Sequence, residues 1–468
     1  MSLPILIAVL LPGLLFLGLS LLWLLGLIPG ERGIARTSQG VALLSWILFS
    51  IETVLILRPL ATPLRLDYGD WFASGHAHFG LSLSVDSESL PMLWLTALLT
   101  GLVAPEQDLR RGIVGGALIL SAGNLIAYAA HDLMTMWAGW TVGSIPFVVG
   151  ALRRDVSVRS VLMSAVGSVL VFGLALLAQA MGARPLTVST LILVAVALRK
   201  GILPFHGWVV RAFAESPLVW IMLLFNGHLG GLLLLRHEIA RHGLENGLVE
   251  IAMGIVILSS IVCSLRGLVE PNPRRLLGYL FIGQSGLVLG GVLLANTEGI
   301  TGALVHWLVV VIASSGLFML LRILESRISG PDWWRQPQGL GVSAPRLAAF
   351  FLLFALTLAG LPGTLGYCSQ ELLVTGAAEH SIPLGWTLAL TSALNAMSVF
   401  RLFTQLFLGV PATRALPVPD LLSRERWPLA IGLVLLIVTG IFPSRVMRLP
   451  ETPAREIGAP AQTHGRGH

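Results

Sequence analysis

Residues 191–208 read LILVAVALRKGILPFHGW: an apolar helix that ends on two cations, then a proline, then a histidine. Lys200 is the only lysine of the chain; every other fixed positive charge is an arginine. Arginine keeps its proton in a protein, whereas a desolvated lysine can release one. A single amine inside an apolar run therefore points to proton binding. Pro204 lacks a backbone donor and blocks the helical turn before it, so a break within the bilayer is expected there, with His206 just beyond it. Charges at a broken intramembrane helix usually mark an ion path. The plainer alternative is that Arg199 and Lys200 close the helix and snorkel to the headgroups.

Other apolar segments each carry isolated polar or ionisable groups: Thr141, His228, His306, Ser314, Glu371 and Arg401. Holding a charge at the bilayer centre costs roughly 2.5–3.5 kcal/mol, so each needs a reason. The expected path uses Lys200, His228, His306 and Glu371 as titrating stations. Thr141, Asn226, Gln284 and Ser314 would hold water between them, with Arg199 biasing the field and Arg401 as a counter-charge. The structural alternatives are a neutral histidine packed among small residues in FNGHLGG, an interhelical hydrogen bond at His306, and an interfacial ion pair at Glu371. A second break is expected in GLPGTLG, at Pro362 and Gly363. Asp86 reads as a surface anchor. Catalytic, metal and cofactor sites are not expected. The histidines of HEIARH at 237–242 are five apart and diverge by about 140° on a helix, Cys263 and Cys368 are isolated, and no phosphate-binding glycine loop follows a strand.

These residues need a membrane scaffold to hold them. The 468 residues are 55% hydrophobic and 12% charged, with mean hydropathy +0.83. Soluble domains carry about 25% charged residues. Apolar runs long enough to cross a bilayer recur from end to end, so the fold is an all-α polytopic membrane protein of about 14 transmembrane helices. Residues 1–82 hold N-terminal helices and an interfacial loop from Arg58 to Ser82. Residues 83–111 hold a third helix and 112–240 a first five-helix repeat. A second, inverted repeat occupies 241–410, the last helix 411–450, and a disordered tail 451–468. The two broken spans lie five spans apart, which suggests the inverted repeat. Arginines fall roughly eighteen to five in favour of loops after odd-numbered spans, which places both termini on the non-cytoplasmic side of a prokaryotic inner membrane. The net charge of +6 sits in those loops, so it speaks for orientation and not for nucleic acid.

RKGILPFHGWVVRAFAESPL, from Arg199, resembles the seventh-span signature of antiporter-like membrane subunits: those of respiratory NADH:quinone oxidoreductase, Mrp-type antiporters and membrane hydrogenases. VDSES at 85–89, LMTMWAGW at 133–140, RRLLGYLFIGQSG at 274–286, GLPGTLGYCSQELL at 360–372 and FRLFTQLFLG at 400–409 resemble further family segments, in order. The resemblance implies a 14-helix core, proton movement along a mid-membrane polar axis, and partner membrane subunits with a redox arm elsewhere. Departures are specific. Thr141 stands where the family has Glu, Arg199 where it has the seventh-span Lys, and Ser314 where it has the eleventh-span Lys. PFHGW and GHLGG also resemble the membrane subunit of an energy-coupled inorganic carbon uptake complex, which pairs with a soluble zinc protein. The third expectation is a transport-inactive scaffold.

Overall fold

The computed structural model describes residues 40, 43–54, 64–74, 77–86, 89–103, 111–152, 156–226, 229–239, 246–328, 330, 333–335, 337–410, 418–444 and 446–447. The expected first span, His228 and the tail lie outside them. Helices dominate because a backbone in lipid must satisfy its own hydrogen bonds. Among the described residues, six helices are long and apolar enough to cross a membrane, and five shorter apolar helices accompany them. The contacts divide the chain into two units. One comprises Met1–Gly201 with Glu215–Leu248; the other comprises Ile202–Ala214 with Val249–His468.

The first unit opens with α1 (Leu43–Val54). Where a loop is expected from Arg58 to Ser82, the chain instead forms an antiparallel hairpin, β1 (Leu64–Ser74) and β2 (Ala77–Val85). The reason lies in the alternation of Leu81, Leu83 and Val85 in β2, which puts apolar side chains on one face of a strand. Leu64 pairs with Val85 and Leu66 with Leu83. The third span therefore starts later than 83, as α2 (Leu90–Val103). Then come α3 (Arg111–Ala129), α4 (Leu133–Val142), α5 (Ile145–Leu152), α6 (Val156–Ala180) and α7 (Pro185–Lys200). Asp132 caps α4 through Thr135 N at 2.8 Å and accepts from Ser82 N and Oγ at 2.9 and 2.6 Å, tying the hairpin to the helices. Gly201, at φ 67° and ψ 36°, ends α7 in the left-handed region that glycine adopts without penalty. After α8 (Gly207–Glu215), which belongs to the second unit, the first resumes with α9 (Leu218–Asn226) and α10 (Leu229–Leu233). A π-helical stretch, Leu234–Ile239, follows.

The second unit contains α11 (Asn246–Val269), α12 (Pro273–Leu293), α13 (Thr297–Arg327), the short α14 (Leu340–Ser343), α15 (Pro345–Leu358), α16 (Leu365–His380), α17 (Ile382–Phe407) and α18 (Ser423–Ile441). Helix α13 is apolar on all sides and buried along most of its length, as a central helix should be. Glycines let α16 approach it to backbone contact. A Cβ on Gly376 would lie 2.5 Å from Gly299 N, and one on Gly302 would lie 2.8 Å from Leu373 N. Asp420 accepts from Arg346 N and Leu347 N at 3.1 and 3.0 Å, satisfying orphan donors at the start of α15.

Candidate functional site

In the first unit, α7 carries Arg199 and Lys200 in its last turn, 5% and 2% exposed. Both cations are therefore inside the protein at a helix C-terminus, the end whose dipole favours positive charge. The guanidinium of Arg199 donates from Nη1 to Ser144 Oγ at 2.8 Å and lies 5.4 Å from the centre of the Trp140 ring, within cation–π range. Ser144 sits in the short gap between α4 and α5, so the cation of one interrupted segment binds at the interruption of another. The hydroxyl of Thr141 turns away from this arrangement and donates to Trp137 O at 2.8 Å. Thr141 thus has a short hydroxyl, satisfied within its own helix.

A buried ion pair that the sequence reading left at the surface belongs to the same unit. Arg236, in the π-helical stretch, grips both oxygens of Asp86 at 2.7 Å. It also donates to Ala130 O and Tyr128 O at the end of α3. Burial alone would push the Asp86 carboxyl up. Arg236, Ser89 N and the hydroxyls of Ser84 and Ser89 outweigh it and hold the group below its usual value. The pair is 150 residues apart in sequence, so spacing offered no signal for it.

In the second unit, His306 stands fully buried on α13. Its Nε2 faces Gln284 Oε1 at 2.8 Å and its Nδ1 faces Ser369 Oγ at 3.0 Å. A carbonyl oxygen only accepts, so with Gln284 Oε1 facing it Nε2 holds the proton and Nδ1 is free to accept. The Ser369 hydroxyl has one hydrogen and two acceptors, Nδ1 and Gly366 O at 2.9 Å. The cluster is a neutral, hydrogen-bonded chain of an amide, an imidazole and a hydroxyl. Ser314, 5% exposed, lies two helical turns along α13 from His306. Buried atoms without a partner among the described residues occur in this unit as well, among them Gln284 Nε2, Ser285 Oγ, Thr301 Oγ1 and Asn395 Nδ2. Such groups are where buried water binds.

The second interruption is built differently from the first. Between α15 and α16 the chain turns through Gly360 (φ 82°) and Gly363 (φ 86°), and Pro362 and Gly363 are exposed. Gln370 Nε2 donates to Leu358 O at 2.8 Å, satisfying a carbonyl the broken helix leaves open. Its neighbour Glu371 is exposed, on the outer face of α16 with Tyr367. Arg401 donates to Gly267 O and Glu270 O, so it caps the end of α11. His206 lies in the turn after Pro204, its buried Nδ1 without a partner among the described residues. The structure brings His306 together with Gln284, and Arg199 with Ser144. It places Glu371 and Arg401 in neither cluster. Ser144, Ser369 and the Asp86–Arg236 pair escaped the sequence reading. The signal for Ser144 was the Gly143–Ser144–Pro146 sequence, a weak point in an apolar run.

The profile of the family described as NADH:quinone oxidoreductase/Mrp antiporter, TM, matches residues 130–395. NADH-quinone oxidoreductase subunit N of Rhodococcus opacus is 27% identical over 371 residues, covering 72% of this chain and 68% of that protein. Among solved structures, a chain of the Mrp complex from Dietzia superposes with a TM-score of 0.80 at 18% identity, covering 98% of both chains. A chain of respiratory complex I from Thermus thermophilus superposes with a TM-score of 0.78 at 22% identity, covering 97% of this chain and all of that one. These likenesses extend the shared fold beyond the matched segment. With its apolar helices and more than half of its length inside the matched profile, this multi-pass membrane protein belongs to the NADH:quinone oxidoreductase/Mrp antiporter family of antiporter-like membrane subunits.

Proposed function

We propose that the chain is a proton-translocating membrane subunit of a respiratory NADH:quinone oxidoreductase-type complex, without a redox centre of its own. The observation that carries this reading is Lys200: the one lysine, 2% exposed, at the C-terminal end of a helix that stops at Gly201. An amine there can alternate between charged and neutral, which the guanidinium of Arg199 next to it cannot. Proton transfer then runs through water between Lys200 and its neighbours in one unit, and through Gln284, His306 and Ser369 in the other. Both termini face the non-cytoplasmic side, and the two interrupted segments descend from inverted repeats. The test is proton flux in proteoliposomes holding the complex purified with this chain. Lys200→Ala is expected to stop it and Lys200→Arg to fail in rescue, since a guanidinium does not release its proton. Unchanged flux in Lys200→Ala overturns the reading.

One observation favours a second reading, a membrane scaffold that has lost transport. Thr141 and Gln370 spend their polar groups on backbone carbonyls of interrupted segments. That reading predicts wild-type assembly of the complex with no flux through this subunit in any variant.

A further inference from the structure

Helix α1 lies outside the segment matched by the family profile, and it is built inside out. Leu43, Ile47 and Val54 are 63%, 49% and 55% exposed, while Ser45, Leu48 and Glu52 are fully buried. Residues 45, 48 and 52 fall on one side of a helix. A neighbouring stripe packs on α2. Phe49 stacks on Trp94 with ring centres 5.0 Å apart, Trp94 Nε1 donates to Thr53 Oγ1 at 2.8 Å, and Trp46 lies against Gly101. The helix thus turns Leu43, Ile47 and Val54 outward and a carboxyl inward.

The other hydroxyls of α1 are satisfied. Ser50 donates to Trp46 O and Thr53 to Phe49 O, each four residues back; Ser45 also has a partner. Glu52 stands apart, because neither of its oxygens has a hydrogen-bond partner among the described residues. An ionised carboxylate only accepts, and buried without a donor it has nothing to replace the water it lost. With a proton bound, the group is neutral and the cost of burying a charge disappears. Among the described residues no cluster of three His, Cys, Asp or Glu side chains forms a metal ligand set.

We propose that Glu52 is a proton-binding site of the second span, held as the neutral acid inside the protein and exchanging its proton with water. The reaction is simple: the carboxylate takes a proton from water or hydronium and returns it, with no other bond made or broken. This goes beyond the Lys200 path, since it adds a proton-binding group from α1, which the sequence motifs do not reach.

The experiment is infrared spectroscopy on the full chain in lipid nanodiscs, in H2O and in D2O. The wild type is expected to show the C=O stretching band of a protonated carboxyl with weak or no hydrogen bonding. The band is expected to shift on transfer to D2O and to vanish in Glu52→Gln, with the thermal midpoint retained because the amide has the same shape. Glu52→Asp, a shorter acid in the same place, is expected to keep a displaced band, and it serves should the amide variant fail to fold. A wild type without such a band, a band that persists unchanged in Glu52→Gln, or one that does not shift in D2O overturns the proposal. The band is independent of Lys200, so loss of flux in Lys200→Ala leaves this test untouched.

Discussion

The two interrupted segments of this chain solve one physical problem in opposite ways. After α7 the interruption keeps its charge: Arg199 and Lys200 are buried at the helix end, and Arg199 reaches Ser144 at 2.8 Å. After α15 the interruption is neutral: Gln370 donates to Leu358 O, and the acid beside it, Glu371, is exposed. The buried group nearest in kind, His306, is bound by a neutral amide and a neutral hydroxyl. A buried fixed charge sets up a field that neighbouring titrations respond to, whereas a neutral hydrogen-bonded chain passes protons without setting a direction. Under the proposed function, the asymmetry assigns the electrostatic drive to the charged interruption and conduction to the neutral cluster.

The largest effect should come from the charged side. Lys200→Ala is expected to cut proton flux roughly a hundredfold, the scale on which removal of one proton carrier acts. His306→Ala removes a conduit group and leaves room for water in its place, so it should lose less. Equal losses in the proteoliposome assay would erase the distinction between drive and conduit.

Next in size is the Asp86–Arg236 pair, which holds β2 and the end of α3 to the π-helical stretch. Side-chain exposures of 20% and 7% leave little room for water to compensate. Arg236→Met should cost about 3 kcal/mol, because it strands a partly buried carboxylate. A shift in thermal midpoint no larger than a surface pair gives would contradict this. The pH dependence carries a sign. Asp86 is held below its usual value when folded, so its contribution is complete above the unfolded carboxyl value, about 3.9, and fades as pH falls through the lower folded value. In Arg236→Met that acid-side loss should disappear.

A third test concerns the geometry of the neutral break. A Cβ on Gly366 would lie 1.9 Å from Thr357 O, so α16 can start where it does only with glycine there. Gly366→Ala should cost roughly 2–3 kcal/mol, the scale of overpacking, and should displace Ser369 from His306. A midpoint unchanged from wild type would mean the half-helices can part at no cost.

What the residues alone revealed tracks how local each signal is. The apolar runs and the interruption at Gly360–Gly363 follow from residue types acting within one helical turn, so they could be read directly; the first break was expected at Pro204, whereas α7 already ends at Gly201. The hairpin at Leu64–Val85 was readable in principle from its alternation, but the polar residues between β1 positions, Arg65 and Asp67, gave it the look of a loop. Ser144 could not be weighed, because its worth comes from a guanidinium 55 residues away. The orientation of Glu371 was also out of reach: it and Gln370 are adjacent, and a step of 100° decides which one turns to the break.

That step suggests the smallest and most discriminating test. Gln370→Leu leaves Leu358 O without its donor at a half-buried site, which should cost about 1 kcal/mol. Gln370→Glu is the sharper change. An ionised carboxylate there cannot donate to Leu358 O and would face a carbonyl oxygen, so it must either bind a proton and restore the bond or turn away. The stability of Gln370→Glu should therefore approach wild type at low pH and fall as pH rises, the reverse of the trend set by Asp86. If the midpoint of this variant is independent of pH while wild type keeps its acid-side loss, the amide is not what closes the second interruption. The contrast between a charged break and a neutral one would then rest on Arg199 and Lys200 alone.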